Sequence, residues 1–188
     1  MSKVTWKPGT LLAPVPPALI SCSHGGIDNL ITVAWTGIIN SEPANTYISV
    51  RPERYSYELI KKSGEFVINL PSSHIIRSID FCGVRSGKNT DKFKVCRLTK
   101  EKASILSCPM VAESPVSIEC KVTDIVPLGS HDMFMADIVA VNIDERYIDE
   151  KGRFHAEKCS FATYAHGQYF ALGKKIGSFG YSVKKKKK

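Results

Sequence analysis

The sequence predicts a mainly β domain in which antiparallel strands form a closed or nearly closed barrel with a few short helices. Short runs rich in β-branched and aromatic residues recur along the chain, with turn residues between them. Alternating β and α units are absent from the pattern, which argues against a doubly wound parallel sheet. A length of 188 residues, with 43% apolar and 23% charged residues, suits one globular domain with its own core. Closure is favoured because it removes the unpaired edges of a long sheet.

Six segments carry the strand pattern. They are, in chain order, Ala18–Ser23, Ile31–Ile38, Thr46–Val50, Phe66–Leu70, Val116–Ile125 and Met133–Ile143. The segment that begins at Val116 alternates apolar and polar residues, which is the period of a strand buried on one face. Its expected partner begins at Met133, because Pro127 and Gly129 between them suit a loop that joins antiparallel strands. That loop carries His131.

Two segments are predicted to be helical. The first, Arg54–Lys62, follows Pro52 at a plausible helix start, and its apolar positions fit one helical face until Gly64 ends it. The second is His74–Phe81. Both are short, so strands dominate the predicted fold.

Charge and hydropathy set the expected environment of the chain. Lys and Arg number 26 and Asp and Glu 18, so the formal charge is 26 − 18 = +8; Lys184–Lys188 contribute five of these charges and leave +3 for residues 1–183. Residues 1–183 are expected to form one domain, and residues 184–188 a disordered tail. A lysine block can bind polyanions, but a solvated terminus is the simpler interpretation, and no nucleic-acid partner is predicted.

The sequence contains no membrane or targeting segment. No apolar run approaches the roughly 20 residues of a membrane helix, and the N-terminus lacks a signal-peptide pattern. We therefore expect a cytoplasmic protein without membrane association.

The cysteines and histidines do not form a metal-binding pattern. None of the six cysteines forms a CxxC pair, and the five histidines show no close ligand spacing with each other or with the cysteines. Scattered cysteines in a chain of this kind are typically buried, reduced, small apolar residues. The sequence therefore predicts neither a metal site nor a disulfide framework.

Three segments dense in small, hydroxylated and basic residues are candidates for an anion site. They are Asn29–Gly37, Ser49–Tyr57 and Asp80–Phe93. Other common enzyme motifs are absent from the sequence. There is no GxGxxG of a dinucleotide-binding fold, no GxxxxGK[ST] of a nucleotide hydrolase, no HExxH of a zinc protease and no GxSxG of a hydrolase.

The second segment has the donors that a phosphate requires. These are hydroxyl and guanidinium groups at Ser49, Arg51, Arg54 and Ser56. Free amides in the first turn of a helix that begins after Pro52 would add to them. The alternative interpretation is that the two arginines only pair with acidic neighbours such as Glu53 and Glu58.

The first segment ends on a residue suited to a flat ligand. Trp35 offers a planar apolar surface, and Thr32 and Thr36 offer hydroxyls beside backbone amides. The alternative is that Trp35 belongs to the core or to a dimer contact.

Taken in order, these segments resemble a known family. The matching stretches are PVPPALI at Pro14–Ile20, NLITVAWTG at Asn29–Gly37, SVRPxRxSY at Ser49–Tyr57, EFVINLP at Glu65–Pro71, CGxxSGxxxDKF at Cys82–Phe93 and LGxxIGxFGYS at Leu172–Ser182. The chain is identified by them as similar to flavoredoxin-type members of the flavin reductase-like family. The resemblance covers almost the whole chain and implies the FMN-binding split β-barrel, a Greek-key type of closed antiparallel barrel.

The resemblance also implies a homodimer with one FMN per subunit, bound in a groove at or near the subunit interface. Three sets of residues are then expected at the cofactor. The residues beside the isoalloxazine ring are Thr32, Val33, Ala34, Trp35 and Thr36, which act chiefly through their backbone. Those along the ribityl chain and phosphate are Ser49, Val50 and Arg51, with Arg54, Ser56 and Tyr57 behind them. Those of the loop that closes over the same end are Cys82, Gly83, Ser86, Gly87 and Lys92.

Several of these assignments have alternatives. Lys92 and Arg85 are candidates for a cation near the N1/O2 edge of the flavin, or else are solvated loop charges. Cys82 is interpreted as a small lining residue rather than a redox thiol. His131 follows Gly-Ser where many relatives have Gly-Asp, and the resemblance implies that it lies near the flavin face where nicotinamide binds; otherwise it is a solvated loop side chain.

The expected function is that of an NAD(P)H-dependent flavin or small-acceptor reductase, in which hydride passes from NADH or NADPH to flavin N5. The alternative is a flavoredoxin-like electron carrier whose FMN is reduced by a protein partner. A third possibility outside the family is a basic binding protein that uses its lysine tail. No short motif separates the first two functions.

Overall fold

A computed structural model of the protein describes residues 1–183. The lysine tail at residues 184–188, for which disorder is predicted, lies outside the described residues. The strands are β1 (Ala18–His24), β2 (Ile27–Val33), β3 (Thr36–Ser41), β4 (Ala44–Val50), β5 (Glu65–Leu70), β6 (Lys100–Glu101), β7 (Met110–Val111), β8 (Val116–Pro127), β9 (Asp132–Ile143), β10 (Ala162–Ala165) and β11 (Gln168–Ala171). The helices are α1 (Tyr55–Ser63), α2 (Ile76–Val84) and α3 (Lys92–Cys96). Short 3-10 turns occupy Ser73–Ile75, Glu145–Tyr147, Ala156–Lys158 and Tyr181–Val183.

Seven strands form one sheet in the order β2-β1-β5-β8-β9-β4-β3, and every pairing within it is antiparallel. β2 and β3 are its two edges, so the sheet is not closed, as a split barrel requires. Two small sheets, β6–β7 and β10–β11, lie outside it. The prediction of a mainly β split barrel with a few short helices is confirmed.

The longest hairpin agrees with the sequence pattern. β8 and β9 pair from Val116 opposite Ile143 to Pro127 opposite Asp132. At the tip, the Leu128 amide donates to the His131 carbonyl across 3.0 Å. Gly129 adopts a φ of 97°, a conformation that few residues other than glycine reach. The turn therefore places His131 at the end of the two longest strands.

The single strand predicted over Ile31–Ile38 is wrong. The chain leaves β2 at Val33, which pairs with Ala18 of β1, and begins β3 at Thr36, which pairs with Ile48 of β4. It thus crosses from one edge of the open sheet to the other within two residues. Hydrophobic periodicity describes one strand at a time and does not reveal a change of partner, so the break was not visible in the pattern.

The helices lie close to their predicted positions. α1 ends at Gly64, which adopts the left-handed conformation (φ 68°) and donates its amide to the Ile60 carbonyl. The second predicted helix begins as a 3-10 turn and continues as α2 to Val84. Within residues 1–183, no helix is long and apolar enough to cross a membrane.

The core has two main parts, one on each face of the β1 end of the sheet. The barrel interior contains fully buried Ile20, Ile48, Ile60, Phe66 and Phe134. The second cluster packs α2 and α3 against β1 and β2 through Leu19, Leu30, Ile79, Cys82 and Phe93. Five of the six cysteines are buried and all are free, in agreement with the expectation of reduced apolar residues. This second cluster fixes the positions of α2 and α3 beside the groove described next.

Candidate functional site

Two adjoining pockets lie where the chain crosses from β2 to β3. The first, here called the cationic pocket, has a volume of about 240 Å³ and is lined by Asn29, Ile31, Glu53, Arg54, Tyr55, Ser56, Cys82, Arg85, Ser86, Gly87 and Lys92. The second, here called the aromatic pocket, has a volume of about 160 Å³ and is lined by Ile31, Thr32, Val33, Ala34, Trp35, Ser49, Val50, Arg51, Arg54 and His131. Ile31 and Arg54 line both, so the pockets form one groove. All three segments singled out in the sequence contribute to it.

Three of the predicted site residues line neither pocket. Thr36 lies in β3 and its hydroxyl donates to the Tyr47 carbonyl at 2.6 Å. Tyr57 is buried and its hydroxyl donates to Asp132 at 2.6 Å; this hydrogen bond, with burial, raises the pKa of Tyr57 to about 12. Gly83 lies in α2 and packs against the Thr32 side chain of β2. The other predicted residues are brought together.

One side-chain role expected from the sequence needs correction. The hydroxyls of Thr32 and Thr36 were expected to face a ligand, but Thr32 donates to the Ile79 carbonyl at 2.6 Å and Thr36 to Tyr47. A hydroxyl has one hydrogen to donate, so both are used within the fold. The Thr32 hydroxyl therefore links β2 to α2, and Thr32 faces the groove with its backbone.

The cationic pocket is built on the start of α1 and on the segment from α2 to α3. Arg54 occupies the position that caps α1, where no side chain caps the helix, so its first amides have no partner within the helix. Lys92 is only 4% exposed, and its ammonium donates to the carbonyls of Leu30 at 2.7 Å and Cys82 at 2.9 Å. Burial lowers the pKa of Lys92 below its usual range. Of the two interpretations of Lys92, the solvated loop charge is wrong.

Arg85 lies at the rim of the same pocket and is exposed. Cys82 lies on its floor, only 1% exposed. Burial, the largest influence, raises the pKa of the Cys82 thiol to about 12. The thiol is therefore protonated near neutral pH, which agrees with a lining role.

Asn29 is a pocket residue to which the sequence assigned no role of its own, although it begins the segment Asn29–Gly37. It is buried in β2 and donates to the Ser56 hydroxyl at 2.8 Å. Gly87 packs against it so closely that a Cβ on Gly87 would come within 1.9 Å of the Asn29 side-chain oxygen. A polar residue inside an apolar run was the available signal, but its partners lie 27 and 58 positions away along the chain. The backbone around Gly87 therefore lies directly on β2.

The aromatic pocket is built on the β2–β3 crossing and the β8–β9 turn. The rings of Trp35 and His131 have centroids 4.4 Å apart and are inclined by 43°. Trp35 is 42% exposed, so it is not a core residue. Its carbonyl accepts the Ser49 amide at 2.9 Å, which ties the crossing to β4. His131 is half-buried against Trp35 and is thus not a free loop side chain.

Burial and nearby positive charges both lower the pKa of His131. Burial lowers the pKa of His131, and the positive charges of Arg51 and Arg54 lower it further against the opposing effect of Glu53. Arg51 lies 3.6 Å from Glu53 in an ion pair whose two side chains are exposed. Such surface pairs are worth about 0–1 kcal/mol, so the Arg51 guanidinium remains available to a ligand. No ion pair holds Arg54 in the part of the chain that the structure describes.

Comparison with known proteins shows the family. The family model described as "Flavin reductase like domain" matches residues 11–173. The chain belongs to the flavin reductase-like domain family. Within this family's solved structures, flavoredoxin of Desulfovibrio vulgaris (Miyazaki F) has a TM-score of 0.91 and 29% identity, and the match covers 97% of this chain and 100% of that one.

Two more distant relatives show the range of the flavin reductase-like fold. An FMN-binding protein from Thermus thermophilus has a TM-score of 0.79 at 21% identity, over 95% of this chain and 98% of that one. An NADPH-flavin oxidoreductase of Streptomyces viridifaciens is 23% identical over 128 residues, which is 67% of this chain and 65% of that protein. The predicted family and its FMN-binding split-barrel fold are confirmed.

The flavin reductase-like chain has no evident metal centre beside this groove. Among residues 1–183, no three His, Cys, Asp or Glu side chains lie together as metal ligands would. The chemistry available in the groove is therefore that of cationic donors, backbone groups, an indole and an imidazole.

Proposed function

We propose that the groove binds FMN and that the protein is an NAD(P)H-dependent oxidoreductase that reduces flavin or another small acceptor. The observation that carries this proposal is the continuity of the two pockets through Ile31 and Arg54. FMN has an anionic phosphate at one end and a flat ring at the other. The groove has guanidinium and ammonium groups at one end and an indole beside free backbone at the other, so its donor set fits both ends.

The cationic pocket is the proposed phosphate site. Arg54 and Arg85 offer bidentate guanidinium donors, and Lys92 has one N–H beyond the two it gives to carbonyls. Tyr55 and Ser56 at the start of α1 also line this pocket, and the partial positive charge of a helix N-terminus favours an anion. The close contact between Gly87 and Asn29 allows the backbone of the loop to approach the ligand from the opposite side.

The aromatic pocket is the proposed ring site. β2 is an edge strand, so alternate backbone N–H and C=O groups along it have no partner in the sheet. Ala34 lies in the two-residue crossing and adds backbone without a bulky side chain. Bound flavin supplies hydride acceptance and release. The protein supplies the surface, the hydrogen bonds and the exclusion of water around it.

His131 is proposed as a residue that positions the electron donor. Its imidazole lies against the Trp35 ring, and its lowered pKa favours the neutral form, which offers a flat face and one N–H. Hydride transfer requires the two reacting rings to be held within about 3–3.5 Å. The positive charge that would attract a dinucleotide phosphate belongs to Arg51, since Arg51 lines the aromatic pocket beside His131.

A second function, an electron carrier reduced by a protein partner, is favoured by one specific observation. The protein that matches this chain over nearly its full length at 29% identity is a flavoredoxin. Stopped-flow mixing of the FMN-loaded protein with NADH and with NADPH separates the two functions. Rapid bleaching of the flavin absorbance with either nucleotide supports the reductase. Absence of bleaching with both supports the carrier.

FMN binding itself is tested on the purified protein. We expect a yellow protein that releases FMN, and not FAD, when it is denatured. Apoprotein titrated with FMN should quench flavin fluorescence at micromolar concentrations or below. A colourless protein that fails to bind added FMN would overturn the proposal.

We also propose that the protein is a homodimer. Large apolar side chains near both ends of the described chain are exposed, among them Leu12, Leu172, Ile176 and Phe179. Where such side chains adjoin, they mark an interaction surface, and a symmetric partner is the usual way to cover it. Deletion of Lys184–Lys188 should leave the hydrodynamic size that of a dimer. A monomer in light scattering, before or after deletion, would contradict the proposal.

A further inference from the structure

Two cysteine thiols meet beside the cationic pocket. Cys82 lies in α2 and Cys96 is the last residue of α3, and their sulfur atoms are 3.9 Å apart. All six cysteines lie in the described residues, and this is the pair among them whose thiols contact each other. The sulfur atoms of a disulfide are about 2.05 Å apart. The two thiols therefore need only a small approach to reach bonding distance.

The pair lies at the base of the loop that lines the pocket. Arg85, Ser86 and Gly87 belong to the segment between α2 and α3, which begins after Val84 and ends before Lys92. Lys92 in α3 already donates to the Cys82 carbonyl at 2.9 Å, so the two helices are joined at this point by a hydrogen bond. A covalent bond from Cys82 to Cys96 would close a ring around the whole pocket loop.

We propose that Cys82 and Cys96 form a reversible disulfide when the protein meets a peroxide, and that this bond locks the loop of the cationic pocket. The effect of the lock on FMN rests on the proposed function; formation of the bond does not. The proposal gives these thiols a role in controlling the groove, separate from any step in electron transfer.

Exposure decides the order of the steps. Cys96 is half-buried whereas Cys82 is only 1% exposed and its raised pKa keeps it protonated, so a peroxide reaches Cys96 first. The Cys96 sulfur attacks one peroxide oxygen, the O–O bond breaks, and Cys96 becomes a sulfenic acid as one water leaves. The Cys82 sulfur then attacks the Cys96 sulfur, the S–O bond breaks, and the S–S bond forms as a second water leaves with the Cys82 proton. Two electrons pass from the two sulfurs to one hydrogen peroxide, and a dithiol reverses the reaction.

The remaining cysteines explain why the reaction is selective. Cys22, Cys108, Cys120 and Cys159 are buried, so they are shielded from a peroxide. Cys22, Cys120 and Cys159 each donate their thiol to a backbone carbonyl, and in the described chain the hydrogen-bond contact between two thiols is that of Cys82 with Cys96. Cys159 is therefore a suitable control position, since it lies far from the groove in sequence and contacts the carbonyl of His155.

The test uses the full chain, treated with one equivalent of hydrogen peroxide, alkylated, digested and analysed by mass spectrometry. We expect a peptide linked between Cys82 and Cys96, loss of two of the six free thiols, and recovery of both with dithiothreitol. Cys159→Ser should still form the bond, and Cys96→Ser should not. Absence of the linked peptide, its replacement by sulfinic acid at Cys96, or equal linkage among the other cysteines would overturn the proposal.

The lock is measured by thermal unfolding with and without FMN. Closing a ring of this length should raise the midpoint of the oxidised wild type by about 5–10 °C, an effect absent from Cys96→Ser. FMN should also leave the oxidised protein more slowly than the reduced one. Formation of the bond without either change would overturn the lock. If the protein forms the bond and is stabilised but binds no FMN, the disulfide inference stands. The same result would overturn the proposed function.

Discussion

The two halves of the groove are built from different kinds of structure. The cationic pocket has the more rigid support: it combines a helix start, a buried lysine whose ammonium is held by two carbonyls, and a loop packed on Asn29. The aromatic pocket is built on more exposed groups: Trp35 is 42% exposed and His131 sits at the tip of a long hairpin. Groups held by buried contacts are suited to hold a ligand, whereas exposed rings are suited to meet a second one. Affinity and reaction are therefore expected to depend on different residues.

The two arginines of one segment illustrate the division. Arg54 lines both pockets and has no acidic partner among the described residues, whereas Arg51 lines the aromatic pocket and lies near Glu53. From the sequence, Arg51 is expected along the ribityl chain and phosphate, with Arg54 behind it. We propose that the phosphate contacts chiefly Arg54, which lines both pockets, while Arg51 lies beside His131 in the aromatic pocket.

The largest expected effect is on FMN affinity. Arg54→Ala should weaken FMN binding about ten- to a hundredfold, because a hydrogen bond to a charged group contributes about 1.5–3 kcal/mol. Riboflavin, which lacks the phosphate, should bind nearly as it does to the wild type. Fluorescence titration of both ligands measures the difference.

Arg51→Ala is the matched control for this prediction. It removes the same charge three positions earlier in the chain and should weaken FMN binding by a much smaller factor. Equal losses for the two variants, or equal losses of FMN and riboflavin for Arg54→Ala, would remove the distinction between the pockets.

The next effect in size is on reduction by NAD(P)H. His131→Ala should slow it about tenfold while FMN affinity stays close to that of the wild type, because the imidazole positions the second ring and does not reach the cationic pocket. Stopped-flow reduction at several nucleotide concentrations measures the rate. His24→Ala, at the β1–β2 turn, is the control and should leave the rate unchanged. If His131→Ala weakens FMN binding as much as Arg54→Ala does, the two pockets do not divide these roles.

The smallest effect concerns protonation within the aromatic pocket. The pKa of His131 should lie below its usual value of about 6.5, so its protonation affects reduction only at pH values below that point. Arg51→Ala should raise this pKa, because it removes a positive charge that disfavours imidazolium. NMR titration of the ring protons measures the shift, and Arg146→Ala, whose partner is Asp144, should cause none. An unchanged pKa in Arg51→Ala would show that the Arg51 charge does not contribute to the lowering.

His155 provides an internal reference in the same titration. Hydrogen bonds to Asp149 at 2.9 Å and to Glu157 at 3.0 Å raise the pKa of His155, the reverse of what happens at His131. Because the folded state binds this proton more tightly, its stabilising effect is complete below the unfolded pKa of about 6.5 and is lost as pH rises through the higher folded value. His155→Gln should therefore lower the unfolding midpoint at acidic pH more than at alkaline pH.

The amino-acid sequence by itself determined the elements whose signals are local. The β8–β9 hairpin follows from alternation and from Pro127 and Gly129, and α1 follows from an apolar face that ends at Gly64. The three segments rich in small, hydroxylated and basic residues were each recognised as a candidate for an anion site, and the family resemblance joined them into one cofactor site. Turn chemistry and periodicity act over a few residues, so a single stretch of sequence contains them in full.

Only the tertiary structure decided what those segments do when they meet. The change of partner between β2 and β3, the burial of Lys92, the packing of Gly87 on Asn29 and the contact of Trp35 with His131 each join residues far apart in the chain. The contact between the Cys82 and Cys96 thiols joins two separate helices. Burial, ring contacts and pKa shifts depend on which groups surround a side chain in space, and that neighbourhood exists only after the sheet has assembled.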